Sequence, residues 1–134
     1  MKHLYAVFFS LFLFFSSFGQ NPIVTENALT GTPIAVWGVP NFRDTRIAGF
    51  STRMSLNSGE TVRFKISVEG AATYTLKIFR IGYYGGNGAR LVEDLGVLNG
   101  VVQLDGMSDA VTGILDCANW SESASWNIPA SAVS

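Results

Sequence analysis

The chain has 134 residues, nine Lys and Arg against ten Asp and Glu, a net charge of −1, one histidine and one cysteine. That length suits one domain around a single core. The near-neutral balance, with basic residues spread among carboxylates and no basic stripe, argues against a nucleic-acid partner.

The first element is a targeting segment. Lys2 and His3 precede an apolar run at residues 4–15, and Ser16-Ser17-Phe18-Gly19 closes it with small residues at Ser17 and Gly19. This is the pattern of a secretory signal peptide with cleavage expected after Gly19. The rival reading, a membrane anchor, meets an apolar core shorter than the roughly 20 residues a span needs, and no basic stop-transfer flank follows. Residues 1–19 are therefore expected to be removed. Residues 20–134 would act outside the cytoplasm, secreted, periplasmic or on the surface of a bacterium, with no membrane contact after cleavage.

Residues 21–40 carry three of the four prolines and no sustained period, which predicts short edge strands and loops. Trp37 in this stretch either covers one edge of the core or stands exposed to stack on a sugar. Residues 41–48 read as a polar loop with Arg43, Asp44 and Arg46. Next, Phe50, Thr52, Met54 and Leu56 alternate with Ser51, Arg53 and Ser55, giving a strand that ends at the turn Asn57-Ser58-Gly59. Val62, Phe64, Ile66 and Val68 alternate with Thr61, Arg63, Lys65 and Ser67, the cleanest half-buried strand in the chain. Glu69-Gly70-Ala71-Ala72 turns into the central hairpin.

In residues 73–92 the alternation of Tyr74, Leu76 and Ile78 predicts a strand with one buried face. Asn87-Gly88 predicts a two-residue type I′ turn. Folding there sets Gly85 opposite Arg90, Tyr84 opposite Leu91 and Tyr83 opposite Val92. Tyr84 and Leu91 then share the core face. Phe79, Ile81, Tyr83 and Val92 form an outer apolar strip, with Arg90 beside it and able to lay its guanidinium on Tyr83. That strip is too apolar for open water, so these five residues, with Trp37, are the candidate binding residues. Beyond the hairpin, residues 95–104 read as two short strands around Asn99-Gly100 and residues 105–112 as a loop. Residues 114–120 and 123–128 read as the last strands, ended by Pro129. Successive antiparallel strands with short connections make the chain all-β, an antiparallel sandwich.

Catalytic chemistry is sparse. The only histidine, His3, lies in the leader, so the mature chain has no histidine triad, no Cys–His dyad and no histidine-ligated metal. Glu93 and Asp94 are adjacent, and alternation sends them to opposite faces. Asp105 and Asp109 lack the order of a calcium loop. No catalytic residue, metal ligand or cofactor is assigned. Cys117, alone, either pairs with another molecule or sits buried as a small apolar side chain. Asn119-Trp120-Ser121 matches the glycosylation acceptor pattern.

The segment from Phe79 to Arg90, F-R-I-G-Y-Y-G-G-N-G-A-R, resembles the Y-R-x-G-x-Y-G-G-x-G-A-R segment near the start of bacterial proteins similar to the large subunit of N,N-dimethylformamidase. Thr112-Gly113 through Asp116-Cys117 and Asn119-Trp120, with Ser123-Ala124-Ser125-Trp126 and Ile128-Pro129, resembles that family's T-G-x-x-D-C-x-N-W and S-A-S-W-x-I-P segments. Asn21-Pro22-Ile23-Val24-x-Glu26-Asn27 fits as well. The resemblance implies a β-sandwich preceding a larger domain whose iron centre hydrolyses a small amide. It carries no catalytic or iron-binding residue onto this chain. Relatives often have a second cysteine where this chain has Gly106, so the resemblance implies a lost disulfide. Residues 126–134 look like the strand-then-corner of an immunoglobulin-like sandwich whose last strands are absent, as in a fragment of a longer protein.

The expected function is a non-catalytic exported module that packs against or presents that downstream domain. Two alternatives stay open. One is a carbohydrate- or surface-binding module using Trp37, Tyr83, Trp120 and Trp126. The other is the first part of an amide hydrolase whose active site lies beyond residue 134.

Overall fold

The computed structural model describes residues 21–39 and 45–133. The expected leader, with Arg43 and Asp44 of the polar loop, lies outside them. Strand β2 (Thr61–Val68) is the centre of the first sheet. Strand β1 (Ile47–Ser51) pairs antiparallel along one edge, from Ile47 opposite Val68 to Ser51 opposite Phe64. Strand β7 (Ala124–Asn127) takes the other, from Thr61 opposite Asn127 to Phe64 opposite Ala124. The second sheet is the hairpin of β3 (Thr73–Ile81) and β4 (Ala89–Asn99). A small ladder joins β5 (Met107–Ser108) to β6 (Leu115–Asp116).

The period-two alternation of β2 and β3 does what it predicts. Ile66 and Val68 of β2 are buried against Tyr74 of β3, with Phe64, Leu76 and Leu98 packed around them. Each such side chain, if fully buried, contributes on the order of 1.5–3 kcal/mol. The two faces meeting over this core make an all-β, antiparallel, sandwich-like fold. Gln103 ties the strand-free segment after β4 to the first sheet. Its amide donates to the carbonyls of Ile66 and Ser121, and its Oε1 accepts from the Ser121 backbone N–H at 3.0 Å.

Several boundaries differ from the sequence reading. The stretch read as edge strands holds two short helical segments, α1 (Pro22–Asn27) and α2 (Ile34–Trp37). Asn21 caps α1 by accepting from the Ile23 N–H at 2.9 Å, with Pro22 in the first turn, so the proline starts a helix instead of forbidding one. The strand expected from Phe50 onward runs earlier, at Ile47–Ser51. Leu95 and Val97 prolong β4 past the place where a new strand was expected.

The hairpin register also differs, and the loop is the reason. Asn87 has φ −73°, so it cannot open a type I′ turn. Positive φ falls instead on Tyr84 (42°), Gly85 (64°), Gly86 (90°) and Gly88 (78°). The chain therefore makes a wider loop over residues 82–88, with a 3-10 turn at Tyr84–Gly86 and the Gly82 N–H donating to the Gly88 carbonyl at 3.0 Å. Phe79 now faces Leu91, Arg80 faces Arg90 and Ile81 faces Ala89. Eleven residues of β4 pair with nine of β3. The excess is taken up by irregularities at Val92 and at Leu95-Gly96, where Gly96 has φ +70°.

Candidate functional site

The candidate residues gather at the loop end of the hairpin, and α1 reaches into it. Asn27 accepts the Tyr83 N–H on its side-chain oxygen at 2.7 Å. Its oxygen and the Tyr84 ring fill the space a Cβ at Gly82 would need, so a side chain there would displace one or the other. Glu26, one residue earlier, points the same way. Its Oε1 accepts from the Tyr84 hydroxyl at 3.0 Å and from Arg90 Nε at 2.9 Å, and Arg90 Nη2 donates to the same oxygen. The Arg90 hydrogen bond is the main influence holding the Glu26 carboxyl below its ordinary range, and Glu26 in turn raises Arg90. Charge-assisted bonds of this kind are worth about 1.5–3 kcal/mol each where water is largely excluded.

Tyr84 sits at the middle of this cluster, 1 % exposed, and Tyr83 beside it is 72 % exposed. Tyr84 thus faces inward as expected, although the loop and not the strand pairing turns it there. The expected stacking of Arg90 on Tyr83 is replaced by stacking on Tyr84, with Arg90 Cζ 5.9 Å from that ring's centroid. The expected outer strip is split. Ile81 and Tyr83 are exposed, whereas Phe79 and Val92 line a cavity with Ile78, Arg80 and Arg90. The irregularity at Val92 is the physical cause, because one extra residue interrupts the alternation.

Trp37 covers the loop from the outside. Its indole N–H is shared between the carbonyls of Thr32 (3.1 Å) and Asn87 (3.2 Å), and a Cβ on Gly88 would lie 3.0 Å from its ring. Trp120 donates its indole N–H to the Leu104 carbonyl at 2.7 Å and leans on Phe50 at 5.7 Å between centroids. Trp37, Trp120 and Trp126 are all half-buried. A shallow apolar depression lies next to the loop. Its lining includes Ile23, Val24, Leu29 and Tyr83, each between 45 % and 72 % exposed.

Residues 75–134 match the family model described as N,N-dimethylformamidase beta subunit-like, C-terminal. This stretch is similar to that family. It contains nearly all of β3, the loop, β4 and everything after, while α1, Trp37, β1 and β2 lie outside the match. The sequence reading placed the resemblance near the start of those proteins, and the family description refers to a C-terminal part; the family agrees and the position within it differs. No curated protein and no solved structure matches the chain.

Glu26 and Asn27 enter the sequence reading only as part of the resembling opening segment and without a role, because a six-residue helix is too short to show a period. Among the described residues no three His, Cys, Asp or Glu side chains come together to hold a metal. Asp109 is engaged within its own loop, accepting from the Val111 and Thr112 N–H groups at 2.8 and 2.9 Å. No helix among the described residues is long and apolar enough to cross a membrane.

Proposed function

We propose that the dimethylformamidase-like region and its N-terminal wrap form an exported, non-catalytic module that packs against a larger domain of the same protein. The carrying observation is the patch of Ile23, Val24, Leu29 and Tyr83, which stays exposed among the described residues. Such a patch is on the order of a few hundred Å², in the range where exposed apolar surface marks contact sites. Tyr83 is held there by its backbone bond to Asn27 while its ring faces out, the arrangement of a rigid aromatic anchor. Any iron centre belongs, on this reading, to the larger domain. The stacking alternative retains Tyr83 but loses support from Trp37 and Trp120, whose indole N–H groups are committed to backbone carbonyls.

Two measurements test the proposal. The full chain should show no turnover of small amides or esters, and turnover abolished by a point change within it would refute the non-catalytic role. In a longer polypeptide carrying the module with its following domain, Tyr83 and Val24 should be protected from hydroxyl-radical labelling relative to the chain alone. Equal labelling in both would refute the docking role.

A further inference from the structure

The inner side of the hairpin's loop end carries two guanidiniums and one carboxylate. Arg90 is committed to Glu26, as described. Arg80 is held more loosely: its Nε lies 3.8 Å from Glu26 Oε1, an ion pair beyond hydrogen-bond reach, and that oxygen already takes the Tyr84 hydroxyl and two Arg90 donors. The Arg80 Nε is buried with no acceptor, and no side-chain hydrogen bond joins Arg80 to any described residue. The side chain is 25 % exposed, so the cation is partly desolvated, and it shares its described counter-charge, Glu26, with the more closely bound Arg90. An unmatched buried donor costs stability, and a guanidinium presents its donors as a planar fork that fits a carboxylate.

Arg80 lines a cavity of about 350 Å³. Glu26 and Arg90 stand at its charged end, and Ile78, Val92, Trp126, Pro129 and Val133 contribute apolar surface. Among the described residues two cations against one anion leave a local charge of +1, set in walls that favour hydrocarbon. The volume is at the small end of the range for ligand pockets. We infer that this cavity is a binding site for a small monocarboxylate with an apolar body, its carboxylate on Arg80 and its hydrocarbon against Ile78, Val92 and Trp126. Arg90 and Glu26 are positioning residues, since their mutual bonds hold the wall from which Arg80 reaches. The site lies apart from the patch around Tyr83 and does not depend on what covers that patch.

Calorimetric titration of the full chain with sodium hexanoate tests this, with 1-hexanol, hexylamine and inorganic phosphate as comparison ligands. Hexanoate should bind, hexanol and hexylamine should bind far more weakly, and phosphate should too because it leaves the apolar wall unused. Arg80→Met should weaken hexanoate by roughly tenfold or more, the scale of a lost charge-assisted pair, and should fold because Glu26 keeps Arg90. In the unaltered chain, the Arg80 Nε–Hε resonance should shift on adding hexanoate and stay in place with hexanol, which decides the matter even if the variant does not fold. Equal binding of hexanoate and hexanol, phosphate binding as tightly as hexanoate, undiminished binding by Arg80→Met, or an unmoved Arg80 resonance would each overturn the inference.

Discussion

Gly106→Cys should create a disulfide with Cys117 and stabilise the chain. Met107 of β5 pairs with Asp116 of β6, so Gly106 and Cys117 are the next residues facing each other across the ladder. A Cβ built on Gly106 would lie 3.1 Å from Cys117 Sγ. With an S–S bond of about 2.05 Å, a cysteine Cβ sits about 3 Å from its partner's sulfur. The backbone of Gly106 is outside the left-handed region, so a cysteine is allowed there. The obstacle is Leu115, whose Cδ1 would be 2.8 Å from the new Cβ; its side chain is exposed and free to swing away. Closing a loop of about 12 residues removes about 2.8 kcal/mol of unfolded-state entropy, and moving Leu115 reduces the net gain to about 2 kcal/mol. Thiol titration after oxidation should find no free thiol in the variant against one in the parent. The denaturant midpoint should rise, and reductant should reverse the rise. Free thiols persisting under oxidant, intermolecular dimers, or a disulfide that leaves the midpoint unchanged would refute the placement of β5 against β6.

The two neighbouring tyrosines should separate cleanly: Tyr84→Ala should cost about 3–5 kcal/mol as a large buried truncation, and Tyr83→Ala under about 0.5 kcal/mol in the chain alone, both read from urea unfolding. Tyr74 has a buried hydroxyl with no partner, and burial pushes its phenol pKa up; Tyr74→Phe should therefore be neutral or stabilising by about 1 kcal/mol, and a clear loss in the melting midpoint would reveal a partner for that hydroxyl. Glu26 titrates below its ordinary value of 4.5 in the fold, chiefly through Arg90. Its contribution is thus present above pH 4.5 and lost as pH falls through the folded value. Glu26→Gln should lower stability at pH 7 by about 1–2 kcal/mol and flatten the acid loss. Part of the slope should remain, because Glu60 and Asp109 are also lowered, each chiefly by backbone N–H donors. A variant with the parent's full acid dependence would remove Glu26 from this role.

Much of the framework is legible in the sequence. The alternation of Phe64, Ile66 and Val68, and of Tyr74 and Leu76, named the core faces because a strand's side-chain period is a local property of the backbone. The glycines at 85, 86 and 88 marked a reversal of the chain for the same local reason. Register was different. It depends on where the loop closes and where extra residues are absorbed, and neither Asn87 nor Val92 announces its backbone state in sequence. The cluster of Glu26, Tyr84, Arg80 and Arg90 was invisible for a stronger reason. Its members lie more than fifty positions apart, from Glu26 to Arg80, and only the wrap of α1 over the loop makes them neighbours. How closely each guanidinium approaches the shared carboxylate was decided by distances of a few ångströms between side chains. No pattern along the chain encodes such distances, because they follow from how the packed elements meet.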